Sequence, residues 1–158
     1  MNQVHKPVVL CFSGHDPSGG AGIQADIETL ISHQCHAASV ITALTEQDTS
    51  NVKKILPQSA AAIISQARTI LEDLPVKAIK IGLIGSVETA KAIHTILTEY
   101  SALPVILDPV LAAGGGTVLS SNELIDTIIE LLLPRTTILT PNSVEARQLA
   151  KCDDLKLA

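Results

Sequence analysis

Short apolar runs alternate with helical stretches along the whole chain, and this rhythm restricts the architecture more than any single motif. Residues 7–13, with Val8-Val9-Leu10-Cys11-Phe12 at their centre, read as a buried strand. Residues 20–33 place Ile23, Ile27, Leu30 and Ile31 at helical spacing. Residues 37–44 are apolar and β-rich, and the polar residues 45–51 read as a loop. Pro57 opens a second helix in which Ala60, Ile63, Ile64, Ala67, Ile70, Leu71 and Leu74 keep one face, and Pro75 stops it. Residues 76–81 form the next strand. Ser86 caps a third helix with Ala90, Ile93, Leu97 and Tyr100 inward. Val105-Ile106-Leu107 is a strand ending in Asp108-Pro109, and Gly114-Gly115-Gly116 makes a loop. Ser120 and Glu123 have capping-box spacing ahead of Leu124, Ile125, Ile128, Ile129 and Leu132. Residues 136–140 give a last strand, closed by Pro141, and Asn142 begins a helix that runs out near Lys151. Strands that are nearly continuous apolar runs, set between helices, predict an α/β fold with a parallel sheet covered on both faces. No repeat or linker interrupts residues 1–158, so a single domain is expected.

Composition narrows the function classes. The apolar fraction is 46%, yet there is one Phe, one Tyr and no Trp, so the core is built from Ile, Leu, Val and Ala. Few aromatics argue against stacking platforms for single-stranded nucleic acid, and a net charge of −5 offers no basic footprint. No nucleic-acid partner is expected. No apolar run reaches membrane length, and no charged-then-apolar leader opens the sequence, so no membrane partner is expected. Cys11, Cys35 and Cys152 stand far apart and in no CxxC spacing, which fits a reduced, cytoplasmic compartment. His33, Cys35 and His36 are the only metal-like cluster, and with no second pair of ligands they are a weak one.

The densest local signal is the turn after the first strand. Four of the nine glycines lie between Gly14 and Gly22, in Ser13-Gly-His-Asp-Pro-Ser-Gly-Gly-Ala-Gly-Ile-Gln-Ala-Asp26. Strand, glycine-rich turn and helix together make a ligand-capturing geometry at the carboxyl end of a parallel sheet. The turn is not a P-loop, because Gly19-Gly20-Ala21 stands where Gly-Lys-Ser/Thr is needed. Nor is it a dinucleotide GxGxxG, since Gly20-Ala21-Gly22-Ile23-Gln24-Ala25 ends in Ala.

Ligands of open parallel sheets sit outside the carboxyl ends of the strands. The polar residues that fall there are Ser13 to Asp26, Thr42, Gln47, Asp108, Asn142 and Glu145. Each also has a purely structural reading. Asp26 fits a charge favoured by a helix dipole, Gln47 a solvated loop residue, and Asn142 with Glu145 a capping box. Asp108 stands out, because a carboxylate ending an apolar strand is costly without a partner.

The Ser13–Asp26 block resembles the opening motif of the hydroxymethylpyrimidine/phosphomethylpyrimidine kinases of thiamine biosynthesis, members of the ribokinase-like superfamily. The likeness continues through Ser39-Val-Ile-Thr-Ala-Leu-Thr-Glu-Gln-Asp-Thr49, Lys80-Ile-Gly-Leu83, Leu107-Asp-Pro-Val110 and Thr140-Pro-Asn-Ser-Val-Glu-Ala146. It implies a three-layer α/β/α fold around a mainly parallel sheet. It also implies transfer of the ATP γ-phosphoryl group to a pyrimidine alcohol or to the phosphate already on it. By the same likeness Gly14, Ala21 and Asp26 line the aminopyrimidine and its hydroxymethyl arm. Gln47 pairs with the pyrimidine edge, and Leu83 and Val110 are apolar walls, Leu83 replacing a methionine common in the family. Asp108, Asn142 and Glu145 match residues that organise magnesium and the nucleotide phosphates, Asp108 and Glu145 acting on the metal through water. ATP and Mg2+ are thus the implied cofactors, and association into a homodimer is the implied assembly.

The family's catalytic base and anion hole lie in a later Gly-Thr-Gly motif, and the sequence ends at Ala158 before one. The catalytic residue is therefore expected beyond Ala158. The expectation is a C-terminally truncated, N-terminal portion of a kinase domain. A split enzyme and a short pyrimidine-binding or regulatory module also fit, and a pyridoxal kinase is the nearest alternative activity. Little turnover is expected of these 158 residues alone, with association through an exposed sheet face.

Overall fold

The computed structural model describes residues 6–113, 116 and 119–152. Six strands form one sheet in the order β3-β2-β1-β4-β5-β6. They are β1 (Val8–His15), β2 (His36–Gln47), β3 (Val52–Pro57), β4 (Val76–Ile81), β5 (Val105–Leu107) and β6 (Ile138–Leu139). Five helices accompany them: α1 (Gly22–Ser32), α2 (Ala60–Asp73), α3 (Val87–Glu99), α4 (Asn122–Thr127) and α5 (Ser143–Ala150). All neighbouring strands pair in parallel except β2 and β3, which form an antiparallel hairpin at one edge.

Right-handed crossovers explain the layers. The chain moves one way from β1 to β2, which sets α1 against one face. It returns from β3 to β4 and on to β5, which sets α2 and α3 against the other. Side-chain alternation follows. Leu10 and Phe12 of β1 are fully buried in one cluster with Ile63 and Ala67 of α2 and Ile93 and Ile96 of α3. Cys11 points the opposite way, into a space bordered by Ala25, Thr29 and Leu30 of α1. Burial there pushes the Cys11 thiol up to about 12, so it is no nucleophile at neutral pH.

Local structure departs from expectation at several places. Gln47 ends a strand rather than lying in a loop, because β2 continues to pair with β3 through Thr45–Ile55 and Gln47–Val52. Val52–Pro57 is itself a strand, and Pro57 closes it instead of opening a helix. Pro lacks the N–H a central strand needs, and an edge strand tolerates it. Helix α2 starts three residues later at Ala60, capped by Ser59, whose side chain accepts from the Ala62 N–H. The cap of α4 is Ser121, which accepts from Leu124, and not Ser120. The helical stretch it opens widens after Thr127 into a π-helical turn at Ile128–Leu132 and a 3-10 turn at Leu133–Arg135. Gly114 and Gly115 of the expected glycine loop lie outside the described residues. No described helix is long and apolar enough to cross a membrane.

Candidate functional site

The glycine turn is organised by one buried carboxylate. Asp16 Oδ1 accepts from the Ser18 N–H and the Ser18 hydroxyl, both at 2.8 Å, and Oδ2 accepts from the Ala21 N–H at 2.9 Å. The Asp16 carbonyl also accepts from Gly19 N–H at 3.1 Å. Burial alone would raise the Asp16 carboxyl, but the donors from Ser18, Ala21 and Gln47 outweigh it and hold it below the ordinary range. Gly22, at φ +59°, follows as the first residue of α1. A Cβ there would run into the Gly14 carbonyl oxygen, so the helix can begin this close to β1 only with glycine.

Strand ends then deliver the remaining groups side by side. Gly82 N–H donates to the Phe12 carbonyl and Asp108 N–H to the Ile81 carbonyl, both at 2.8 Å, so β1, β4 and β5 finish in step. The Thr42 hydroxyl donates to the Leu83 carbonyl and fixes the segment after β4. Leu83 lies directly over Gly14: a Cβ on Gly14 would stand 2.6 Å from Leu83 Cδ2. Thr45 Oγ1 is 2.8 Å from the His15 carbonyl and 2.9 Å from Gln47 Oε1, which orients the Gln47 amide at the end of β2.

These elements enclose a cavity of about 320 Å³. Gly14, Ala21, Asp26, Gln47, Leu83 and Val110 all line it, and so does Asp108. The volume suits a single substituted ring. Asn142 and Glu145 stand outside its lining and serve α5. The Asn142 side chain accepts from Val144 and Glu145 N–H, while Glu145 Oε2 accepts from Asn142 N–H at 2.8 Å, a complete capping box. Glu145 is buried, and its other oxygen accepts from Leu111 N–H at 3.3 Å, tying the segment after Asp108 to α5.

Sequence reading does not single out Lys80, which also lines the cavity. It lies on β4 with its ammonium 3.0 Å from Asp26 Oδ1. A lysine inside the apolar run Val76–Ile81 was the available signal, since a charge in a central parallel strand calls for a partner.

Burial raises the Asp108 carboxyl. The Lys80 ammonium opposes that rise, and the Glu145 and Asp26 carboxylates add to it. A carboxyl raised in the folded state adds stability that is complete below its unfolded pKa and lost as pH rises through its folded one. The charged Asp108 therefore works against folding at neutral pH. Asp108→Asn is expected to raise the melting temperature at pH 7, with the gain vanishing below about pH 4. Equal melting temperatures for the two proteins at pH 7 would contradict this reading.

Among the described residues no three His, Cys, Asp or Glu side chains converge to hold an ion by themselves. Magnesium does not require such a cage, since one or two carboxylates with water and substrate phosphates complete its shell. Asp108, half-buried among other carboxylates, fits that manner of binding. Glu145, with both oxygens engaged by backbone donors, fits as a nearby negative charge.

Comparison with known proteins places the chain in a family. The family model described as phosphomethylpyrimidine kinase matches residues 16–157. The hydroxymethylpyrimidine/phosphomethylpyrimidine kinase of Synechococcus elongatus is 37% identical over 147 residues, which is 93% of this chain and 56% of the relative. That of Rhizobium meliloti is 40% identical over 139 residues, 88% of this chain and 52% of the relative. The crystal structure of phosphomethylpyrimidine kinase from Clostridium difficile superposes with a TM-score of 0.87 at 35% identity, covering 94% of this chain and 64% of that one. An ADP complex of Bacillus subtilis pyridoxal kinase superposes with a TM-score of 0.83 at 29% identity, covering 95% and 55%. The chain thus spans about half the length of the curated relatives it matches.

Proposed function

Because the chain belongs to the phosphomethylpyrimidine kinase family, we propose that its cavity is the acceptor side of an ATP-dependent kinase site. The acceptor is the hydroxymethyl group of 4-amino-5-hydroxymethyl-2-methylpyrimidine, or the monophosphate formed on it. The observation that carries this reading is the convergence of Gly14, Ala21, Asp26, Gln47, Leu83 and Val110 on one ring-sized cavity. Leu83 and Val110 supply apolar walls to the ring. Gln47 offers the donor and acceptor an aminopyrimidine edge needs. Asp26 accepts a hydrogen bond from the hydroxymethyl arm. Magnesium and ATP, when bound, supply the γ-phosphoryl group and neutralise its charge. Asp108 would hold the metal with water, and the capped start of α5 at Asn142, with Glu145 behind it, would border the nucleotide phosphates.

Calorimetry of the chain with hydroxymethylpyrimidine tests this reading. Gln47→Ala is expected to weaken binding by about 10-fold, the cost of one well-placed pair of hydrogen bonds. Unchanged affinity would remove Gln47 from the site. Adding pyridoxal as a second ligand separates the two activities found among the structural neighbours, and a stronger loss for the pyrimidine is expected.

The assembly belongs to the same proposal. Ile138 and Leu139 on the β6 edge and Val144 on α5 are exposed, an apolar surface fit to pair with a second copy. Sedimentation velocity is expected to detect concentration-dependent dimers that Leu139→Glu abolishes. A monomer at every concentration would exclude self-association.

A further inference from the structure

The cavity's carboxylates leave one charged neighbour without a role in the proposal so far. The Lys80 ammonium is 3.0 Å from Asp26 Oδ1, 3.2 Å from Asp26 Oδ2 and 3.4 Å from Ser13 Oγ. The Ser13 hydroxyl in turn donates to Asp26 Oδ2. Three separate elements, β4, α1 and β1, thus meet at one carboxylate. Both charged side chains are largely shielded, Lys80 at 22% and Asp26 at 16% exposure, so bulk water does little to screen the pair. The backbone makes room for it: a Cβ on Gly82 would stand 2.6 Å from Lys80 Nζ and 3.0 Å from Ser13 Oγ.

We propose that Lys80 is a positioning residue of the acceptor site, its ammonium seated beside Gly82 so that the Asp26 side chain is held aimed into the cavity. The proposal rests on the reading of that cavity as the acceptor site. Two anchors on one carboxylate restrict its rotation about the Cβ–Cγ bond. With Lys80 gone, the Ser13 hydroxyl is the one of these two anchors that remains, and it does not by itself fix the direction of Asp26. Lys80 itself acts through Asp26 and is not assigned a contact with the ligand.

The test is a double-mutant cycle read by calorimetry with hydroxymethylpyrimidine, on the wild type, Lys80→Met, Asp26→Asn and the double variant, each first verified as folded by its thermal melt. Lys80→Met is expected to weaken binding by about tenfold or more, as loss of one partner of a shielded charge pair does. In the Asp26→Asn background the same change is expected to alter affinity by less than about twofold, because the group it positions is gone. Lys80→Arg, which retains the charge, is expected to recover part of the affinity. Gly82→Ala provides a milder displacement, since its Cβ meets only the far end of the lysine and a serine hydroxyl. It is expected to weaken binding with little change in melting temperature. An equal loss from Lys80→Met in both backgrounds, or wild-type affinity in folded Lys80→Met, overturns the proposal. A ligand-free arm separates this failure from failure of the acceptor reading. In a crystal structure of Gly82→Ala or Lys80→Met, Asp26 is expected to turn away from Ser13, and an unmoved Asp26 overturns the proposal even if the wild type binds no pyrimidine.

Discussion

Gly22→Ala is expected to lower the free energy of unfolding by about 2–4 kcal/mol, combining the cost of a left-handed backbone with that of overpacking. The strain is local and has no outlet. At φ +59° the new Cβ meets the Gly14 carbonyl oxygen, which is backbone and has no rotamer to change. Either α1 moves away from β1 or the turn between them rearranges, and both changes open the cavity floor. Urea denaturation checks this, with Gly20→Ala as the comparison. A Cβ on Gly20 finds Asp16 Oδ2 and Ser18 Oγ no nearer than 3.8 Å, so that variant should stay within about 0.5 kcal/mol of the wild type. If the two alanines cost the same, close approach of helix and strand is not what the glycines provide.

Glu145→Ala is expected to destabilise the chain by about 2–4 kcal/mol, from the lost capping box and a buried N–H left without an acceptor. The side chain joins two backbone positions that are distant in sequence, Leu111 and Asn142. Its removal frees the start of α5 from the segment after β5, the same segment that carries Asp108 and Val110 into the site. Glu145→Gln keeps an oxygen acceptor and should recover part of the loss. It also removes a negative charge near Asp108, so the Asp108 carboxyl should fall toward its ordinary range. An alanine variant as stable as the wild type would reduce Glu145 to its charge alone.

The elements legible in the sequence are those whose burial follows one clear period. Val76–Ile81, Val105–Leu107 and the apolar face of α2 and α3 are examples, because helix and sheet both bury them against the same cluster. Strand β3 obeys no such pattern. Val52-Lys53-Lys54-Ile55-Leu56-Pro57 lies at an edge with most of its side chains exposed, so lysines and a terminal proline concealed a strand that pairing with β2 creates. The same hairpin turned Gln47 from a loop residue into a strand end aimed at the cavity. The residues singled out by the family motifs, Gly14, Ala21, Asp26, Gln47, Leu83 and Val110, line one cavity, although spacing alone leaves Asp26 open to a helix-dipole reading. Its ion pair with Lys80, 54 positions away, is a contact that no local pattern encodes.

The turn held by Asp16 has a bearing on which anions the cavity can receive. Backbone amides gathered at a glycine turn before a helix ordinarily invite an anion. Here the inviting amides of Ser18 and Ala21 already have one, supplied by the chain itself and kept ionised by the contact. A triphosphate approaching from this side meets an occupied nest and a fixed negative charge. On the acceptor reading proposed above, the turn would give the cleft a polarity, its fixed charge turning a triphosphate toward the opposite rim.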